Sequence, residues 1–128
     1  MGTNTANTAV VEQAYAAFGR GDIASVIDVL DDNVEWSSPR TLPHGGEFQG
    51  KADVGRFFEG LGAAWETLGL TVETVGEVTN GVVVGVVRAD GSRRGGGPAG
   101  YGAAHRFDVR NGKITRFREY VDLDKPID

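Results

Sequence analysis

Residues 103–122 read AAHRFDVRNGKITRFREYVD, two alternating runs on either side of Asn111-Gly112. Asn-Gly between alternating apolar residues is the strongest short-range hairpin signal, because its tight turn needs φ > 0 at both central positions. Side chains alternate across a strand, so His105, Phe107 and Val109 share one face, and Arg106, Asp108 and Arg110 the other. In the second run the same arithmetic separates Thr115, Phe117, Glu119 and Val121 from Ile114, Arg116, Arg118, Tyr120 and Asp122. With the His105 and Phe117 faces coinciding, the hairpin aims one imidazole and one carboxylate into an apolar surface.

Upstream, residues 90–102, DGSRRGGGPAGYG, hold six glycines and a proline and read as a long mobile connection. Before it, Val82 to Ala89 is an almost continuous β-branched run, Asn80-Gly81 a second tight turn, and Leu70 to Val78 an alternating strand. Val54, Phe57, Phe58, Leu61, Trp65 and Leu68 recur at helical spacing and predict a third helix with an aromatic stripe. Residues 38–50 carry two prolines and three glycines and read as a loop. Val34-Glu35-Trp36-Ser37 reads as a short strand entered through Asp31-Asp32-Asn33 turn chemistry. Asp22 suits the N-cap of a second helix built on Ile23, Val26, Ile27 and Leu30. The first helix runs on Val10, Ala14, Ala17 and Phe18 and is stopped by Gly19-Arg20-Gly21, with residues 1 to about 7 loose. The order is helix, helix, strand, helix, then four strands in meander order. That is one α+β domain over 1–128, with helices packed on one face of a curved antiparallel sheet.

With 18 acidic against 13 basic side chains the net charge is −5 and no Lys or Arg block stands out, so nucleic acid and anionic membrane are poor partners. The absence of cysteine excludes thiolate metal sites and cysteine nucleophiles. Two histidines, His44 and His105, cannot build a His-rich metal site, and neither a metal nor a cofactor is expected. No apolar run reaches membrane-spanning length and the N-terminus does not read as a signal peptide, so a cytoplasmic address is expected.

Five features bear on chemistry. Arg93-Arg94 before Gly95-Gly96-Gly97 lacks the Gly-Lys-Ser/Thr ending of a phosphate loop and opens onto a strand. His44-Gly45-Gly46 is similar to an oxyanion loop of serine hydrolases, but no G-x-S-x-G elbow accompanies it, and His44 is expected as a solvated loop residue. His105 faces inward, where burial or a carboxylate can move its proton affinity across neutrality; the other reading is a core histidine bonded to backbone or water. Glu119 lies on the Phe117 face, where a carboxylate is costly unless paired or functional, and Arg88 is an available partner. Arg88 and Asp90 themselves form an R-x-D pair on one strand face.

The series VVEQAYAAFGRGDIASVIDVLDDNVEW, FQGKADVGRFF and FDVRNGKITRFREYVDL resembles the nuclear transport factor 2-like superfamily, in particular its SnoaL-like polyketide cyclase and ketosteroid isomerase-like branch. The resemblance covers nearly the whole chain. It implies a cone-shaped curved sheet with three N-terminal helices on its concave face, a pocket between them, and commonly a homodimer through the outer sheet face. Against ketosteroid isomerase, the aspartate base falls on Ser38, the first-helix tyrosine on Ala14 with Tyr15 one place off, and the oxyanion-hole aspartate on Ala104 or His105. A serine at the base position argues against that reaction. Against limonene epoxide hydrolase, the R-x-D pair resembles Arg88-Ala89-Asp90 and the second aspartate resembles Glu119, while its Tyr and Asn fall near Trp36 and Ser38. SnoaL-like cyclases use a carboxylate near the end of the last strand, which here is Glu119 or Asp122, with His105 assisting.

The expectation is therefore a protein that binds a small apolar molecule and performs cofactor-independent acid/base chemistry of the cyclase, isomerase, dehydratase or epoxide hydrolase type. His105, Glu119, Asp90 and Arg88 are the catalytic candidates; Tyr15, Trp36, Ser38, Phe58, Trp65, Phe117 and Asp122 are the pocket candidates. The alternative is a non-catalytic ligand-binding or dimerisation module of the same fold, with its polar groups satisfied internally.

Overall fold

A computed structural model of the protein describes residues 5–121, so Asp122 lies outside the described residues. Helix α1 (Ala6–Gly19) starts earlier than its apolar pattern, because Thr5 caps it by accepting from the Thr8 amide. It buries Thr8, Val11, Ala14 and Ala17. The chain then turns through Gly21, at φ +74°, a conformation glycine adopts without a Cβ clash. Asp22 caps α2 (Ile23–Asp28) as expected, accepting from both the amide and the hydroxyl of Ser25. Helix α3 (Lys51–Ala64) follows later in the chain.

The strands are β1 (Leu30–Ser38), β2 (Gly46–Gln49), β3 (Trp65–Thr79), β4 (Val82–Arg93), β5 (Gly97–Arg110) and β6 (Lys113–Val121). They form one curved, unclosed six-stranded sheet in the order β2-β1-β6-β5-β4-β3, with the three helices on its concave face. The α+β class and the β3 to β6 meander are as the sequence predicts. One pairing is not antiparallel: β1 runs parallel to β6, with Trp36 opposite Phe117. The last strand thus sits inside the sheet, between β1 and β5.

Several boundaries differ from the sequence reading, each for a physical reason. The helical pattern through Leu68 breaks at Trp65, which is extended and pairs with Arg93. Arg94 makes that ending possible: its amide donates to the Ala64 carbonyl and its Nε to the Gly62 carbonyl, satisfying acceptors left open at the helix C-terminus. Residues 90–102 are accordingly not a mobile connection. Both strands continue through the glycines and meet at a short turn in which Gly95 and Gly97 take positive φ. Residues 46–49 of the expected loop pair with β1 as an edge strand. Asp31-Asp32-Asn33 keeps its turn chemistry inside β1, where Asp31 accepts from the Asn33 amide and pairing with β6 is interrupted.

The hairpin forms at Asn111-Gly112, both at positive φ. Its register pairs Phe107 with Phe117 and His105 with Glu119, so the two faces do coincide. A bulge between β5 and β6 places Val109 opposite Ile114 but Asp108 opposite Arg116. The extra residue turns Ile114 to the inner face, where it is fully buried, against the simple alternation. Two clusters make up the core: one around Val11, Leu30, Val34, Val54 and Ile114, the other around Leu42, Trp65, Val87 and Tyr101. A cavity lies between α1, α3 and the inner sheet face.

Candidate active site

Four side chains form a hydrogen-bonded chain at the cavity, three of them on its wall and Ser38 behind it. Tyr15 of α1 places its hydroxyl 2.8 Å from Nδ1 of His105 on β5. The other ring nitrogen, Nε2, lies 3.1 Å from Oε2 of Glu119 on β6. Ser38, at the end of β1, donates its hydroxyl to Oε1 of the same carboxylate at 2.9 Å. His105 and Glu119 are direct cross-strand neighbours, and their side chains are 5% and 7% exposed. Phe107 and Phe117 stand edge-on to the imidazole, and Tyr15 stacks near it.

The electrostatics follow from this packing. Burial works against ionisation of Glu119, but the hydrogen bonds from His105 and Ser38, joined by the attraction of His105 or His44 whenever either is protonated, outweigh it and hold the carboxyl below its usual range. Glu119 is therefore a carboxylate at neutral pH. Burial, reinforced by the Glu119 charge, pushes Tyr15 well above the ordinary phenol range, so its hydroxyl keeps its proton. With neutral His105, Tyr15 donates to Nδ1 and the imidazole's own proton sits on Nε2, pointing at Glu119.

The cavity measures about 70 Å³ and is lined mainly by apolar and aromatic side chains, among them Phe18, Trp36, Phe57, Phe58, Leu68, Leu70 and Phe117. His105, Glu119 and Tyr15 line it too, and among the described residues no Lys or Arg does. Of the other expected pocket residues, Trp36, Phe58 and Phe117 face the cavity, whereas Ser38 and Trp65 stand behind it, supporting Glu119 and His44.

Arg88 and Asp90 do not belong to this site. They alternate with Val87 and Ala89, which face the core, and so point to the outer face, 44% and 64% exposed and 3.5 Å apart. The epoxide hydrolase-like R-x-D arrangement is absent from the cavity, and Arg88 is not the partner of Glu119.

His44 was expected to be solvated and is instead buried, 6% exposed, on the cavity wall. Its Nδ1 accepts from the indole Nε1 of Trp65 at 3.0 Å. Nothing local to the Pro43-His44-Gly45 stretch signals this, because the partner lies 21 residues on. Tyr101, also on the cavity, was legible: extending the His105 parity back through 103 to 101 puts it on the same face, but the surrounding glycines hid the strand.

Residues 11–117 match the SnoaL-like domain. The chain belongs to the SnoaL-like family. An uncharacterized protein of Mycobacterium tuberculosis strain H37Rv is 32% identical to this SnoaL-like chain over 92% of its length and 90% of the relative's. Among solved structures, a nuclear transport factor 2-like protein of Burkholderia thailandensis superposes with a TM-score of 0.84 at 27% identity, covering 95% and 92% of the two chains. Another, RV0760c of Mycobacterium tuberculosis in complex with estradiol-17beta-hemisuccinate, gives a TM-score of 0.80 at 21% identity over 98% and 99%. The last likeness concerns the fold alone.

Proposed function

We propose that this SnoaL-like protein binds a small, mostly apolar ring compound in the cavity and shuttles a proton on it without a cofactor, as an isomerase or cyclase does. The observation that carries the reading is Glu119: an ionised carboxylate whose side chain is 7% exposed, aimed into an apolar cavity and held from two sides. Ser38 and His105 each engage one oxygen, leaving further lone pairs free toward the cavity. Glu119 takes a proton from one position of the bound molecule and returns it at another, so the step needs no net proton and no redox partner. His105 steadies the carboxylate through Nε2–H, the tautomer that an acceptor-only carboxylate requires, and Tyr15 completes it by donating to Nδ1. The complex of RV0760c, which shares the fold, with estradiol-17beta-hemisuccinate supports a ring compound as ligand.

The test is deuterium wash-in. A panel of cyclic ketones and phenolic ring compounds is incubated with the protein in D₂O and read by mass spectrometry. Wild type should exchange at least one compound, and Glu119→Gln should do so at least about 10²-fold more slowly, on the usual scale of acid/base catalysis. Compounds that bind without exchanging would instead establish the non-catalytic ligand-binding module.

We further propose a homodimer through the outer sheet face. In support, Val86, Ala104 and Tyr120 are aligned by register across β4, β5 and β6, with Val86 and Tyr120 exposed. Val86→Lys combined with Tyr120→Lys should yield a monomer by sedimentation; an unchanged mass would refute this interface.

A further inference from the structure

We infer that His44 is a single-tautomer hydrogen-bond donor, fixed by Trp65, for a carbonyl oxygen of the cavity's ligand; the inference rests on the cavity being the ligand site. An indole N–H can only donate, so the ring nitrogen that faces it must be bare. Nδ1 of His44 is that nitrogen, 3.0 Å from Nε1 of Trp65, which leaves the neutral ring's proton on Nε2. A protonated ring would set N–H against N–H, and burial also disfavours the charge.

The ring cannot easily turn away. Its loop is cinched by hydrogen bonds from Leu42 to the Pro39 carbonyl and from Gly45 to the Leu42 carbonyl. Gly45 is packed so closely that a Cβ there would run into the Pro39 carbonyl. With Nδ1 taken up by Trp65, which does not line the cavity, Nε2 is the polar atom His44 has left for a ligand there. Among the described residues Nε2 has no hydrogen-bond partner, although the residue is 6% exposed. Nε2 is not itself fully enclosed, so an oxygen arriving with the ligand can reach it and supply the acceptor.

The charge of the wall selects the kind of oxygen. Glu119 makes the cavity unfavourable for a carboxylate or phosphate, and among the described residues no lining Lys or Arg offsets it. Of the neutral acceptors that bring no proton of their own, a carbonyl is the one that suits the proposed proton transfer, because it takes up electron density when a neighbouring proton leaves. Placed at His44, it would sit across the same cavity from the Glu119 carboxylate. Proton removal beside a carbonyl shifts electron density onto that oxygen, where a fixed N–H strengthens its bond as charge develops.

Acetophenone and ethylbenzene serve as probes, since they match in shape and differ in the carbonyl oxygen. Binding is measured by ligand-observed NMR, which needs no turnover, so inactivity toward every compound in the exchange panel leaves this test intact. His44→Phe should weaken acetophenone about 10-fold, the worth of one hydrogen bond, and leave ethylbenzene unchanged. Glu119→Gln should leave acetophenone bound. In ¹⁵N-histidine spectra, wild-type His44 should be the Nε2–H tautomer, its Nε2 shift moving with acetophenone and not with ethylbenzene; Trp65→Phe should release a mixture of tautomers. The spectra decide the matter if His44→Phe does not fold. Uptake of neither probe, equal loss of both, or an Nδ1–H tautomer overturns the assignment.

Discussion

Gly85 of β4 lies directly beneath the Tyr15 hydroxyl: a Cβ at position 85 would meet that oxygen and lie 3.2 Å from two ring carbons. Gly85 is also the register partner of His105. A missing side chain on one strand therefore makes room for the phenol that reaches the histidine on the next. Gly85→Ala should destabilise the protein by about 1–3 kcal/mol, the usual cost of overpacking, measured by urea denaturation. Because the hydroxyl is the nearest atom, adding Tyr15→Phe should recover part of that loss. Strictly additive effects in the double variant would show that the two residues are not coupled.

Ser38→Ala removes one of the two bonds that hold Glu119 ionised. A folded-state value below the ordinary one means that Glu119 contributes stability above the unfolded carboxyl's value of about 4.3, which is lost as pH falls through the folded value. In Ser38→Ala the folded value rises toward the unfolded one. Acid titration monitored by fluorescence should then show the variant losing stability at higher pH than wild type, and any acid limb of the exchange reaction shifting the same way. Coincident titrations would remove Ser38 from the network.

His44 makes a separate contribution with its own window. Burial lowers its proton affinity in the folded protein, and the attraction of Glu119 offsets this only in part. Below about pH 6.5 the unfolded chain takes up a proton there that the folded chain does not. Stability should fall as pH drops through that region, by at most about 1.4 kcal/mol per pH unit for one group. Urea midpoints measured between neutrality and pH 5 should flatten in His44→Phe, and a variant that keeps the full wild-type slope would contradict the burial argument.

Arg88→Ala and Asp90→Ala should leave exchange activity unaltered and change stability by less than about 1 kcal/mol, as for exposed ion pairs. A hundredfold loss of activity in either would restore the R-x-D pair to the chemistry.

The hairpin at Asn111-Gly112, the Asp22 cap and the inward faces of His105 and Glu119 were all legible, because each depends on turn chemistry or alternation within a few residues. What failed was what distant partners decide. Arg94 ends α3 and orders the glycine-rich turn, Trp65 draws His44 inward, and a bulge reverses the side of Ile114. The R-x-D pair shows the opposite error. Period-two parity already put Arg88 and Asp90 on the face opposite Val87 and Ala89, but the family likeness drew them toward the pocket.

The place of β6 between β1 and β5 has a consequence in time. Tyr15 and His105 are 90 residues apart and Ser38 and Glu119 are 81 apart, so every bond of the tetrad waits for the last strand or the one before it. As the chain leaves the ribosome, β1 and β2 have no way to join β3 and β4 until β6 emerges. Contacts of such long range close slowly. The carboxylate then arrives together with the strand that completes the sheet, so no partly folded intermediate lacking β6 can carry the site.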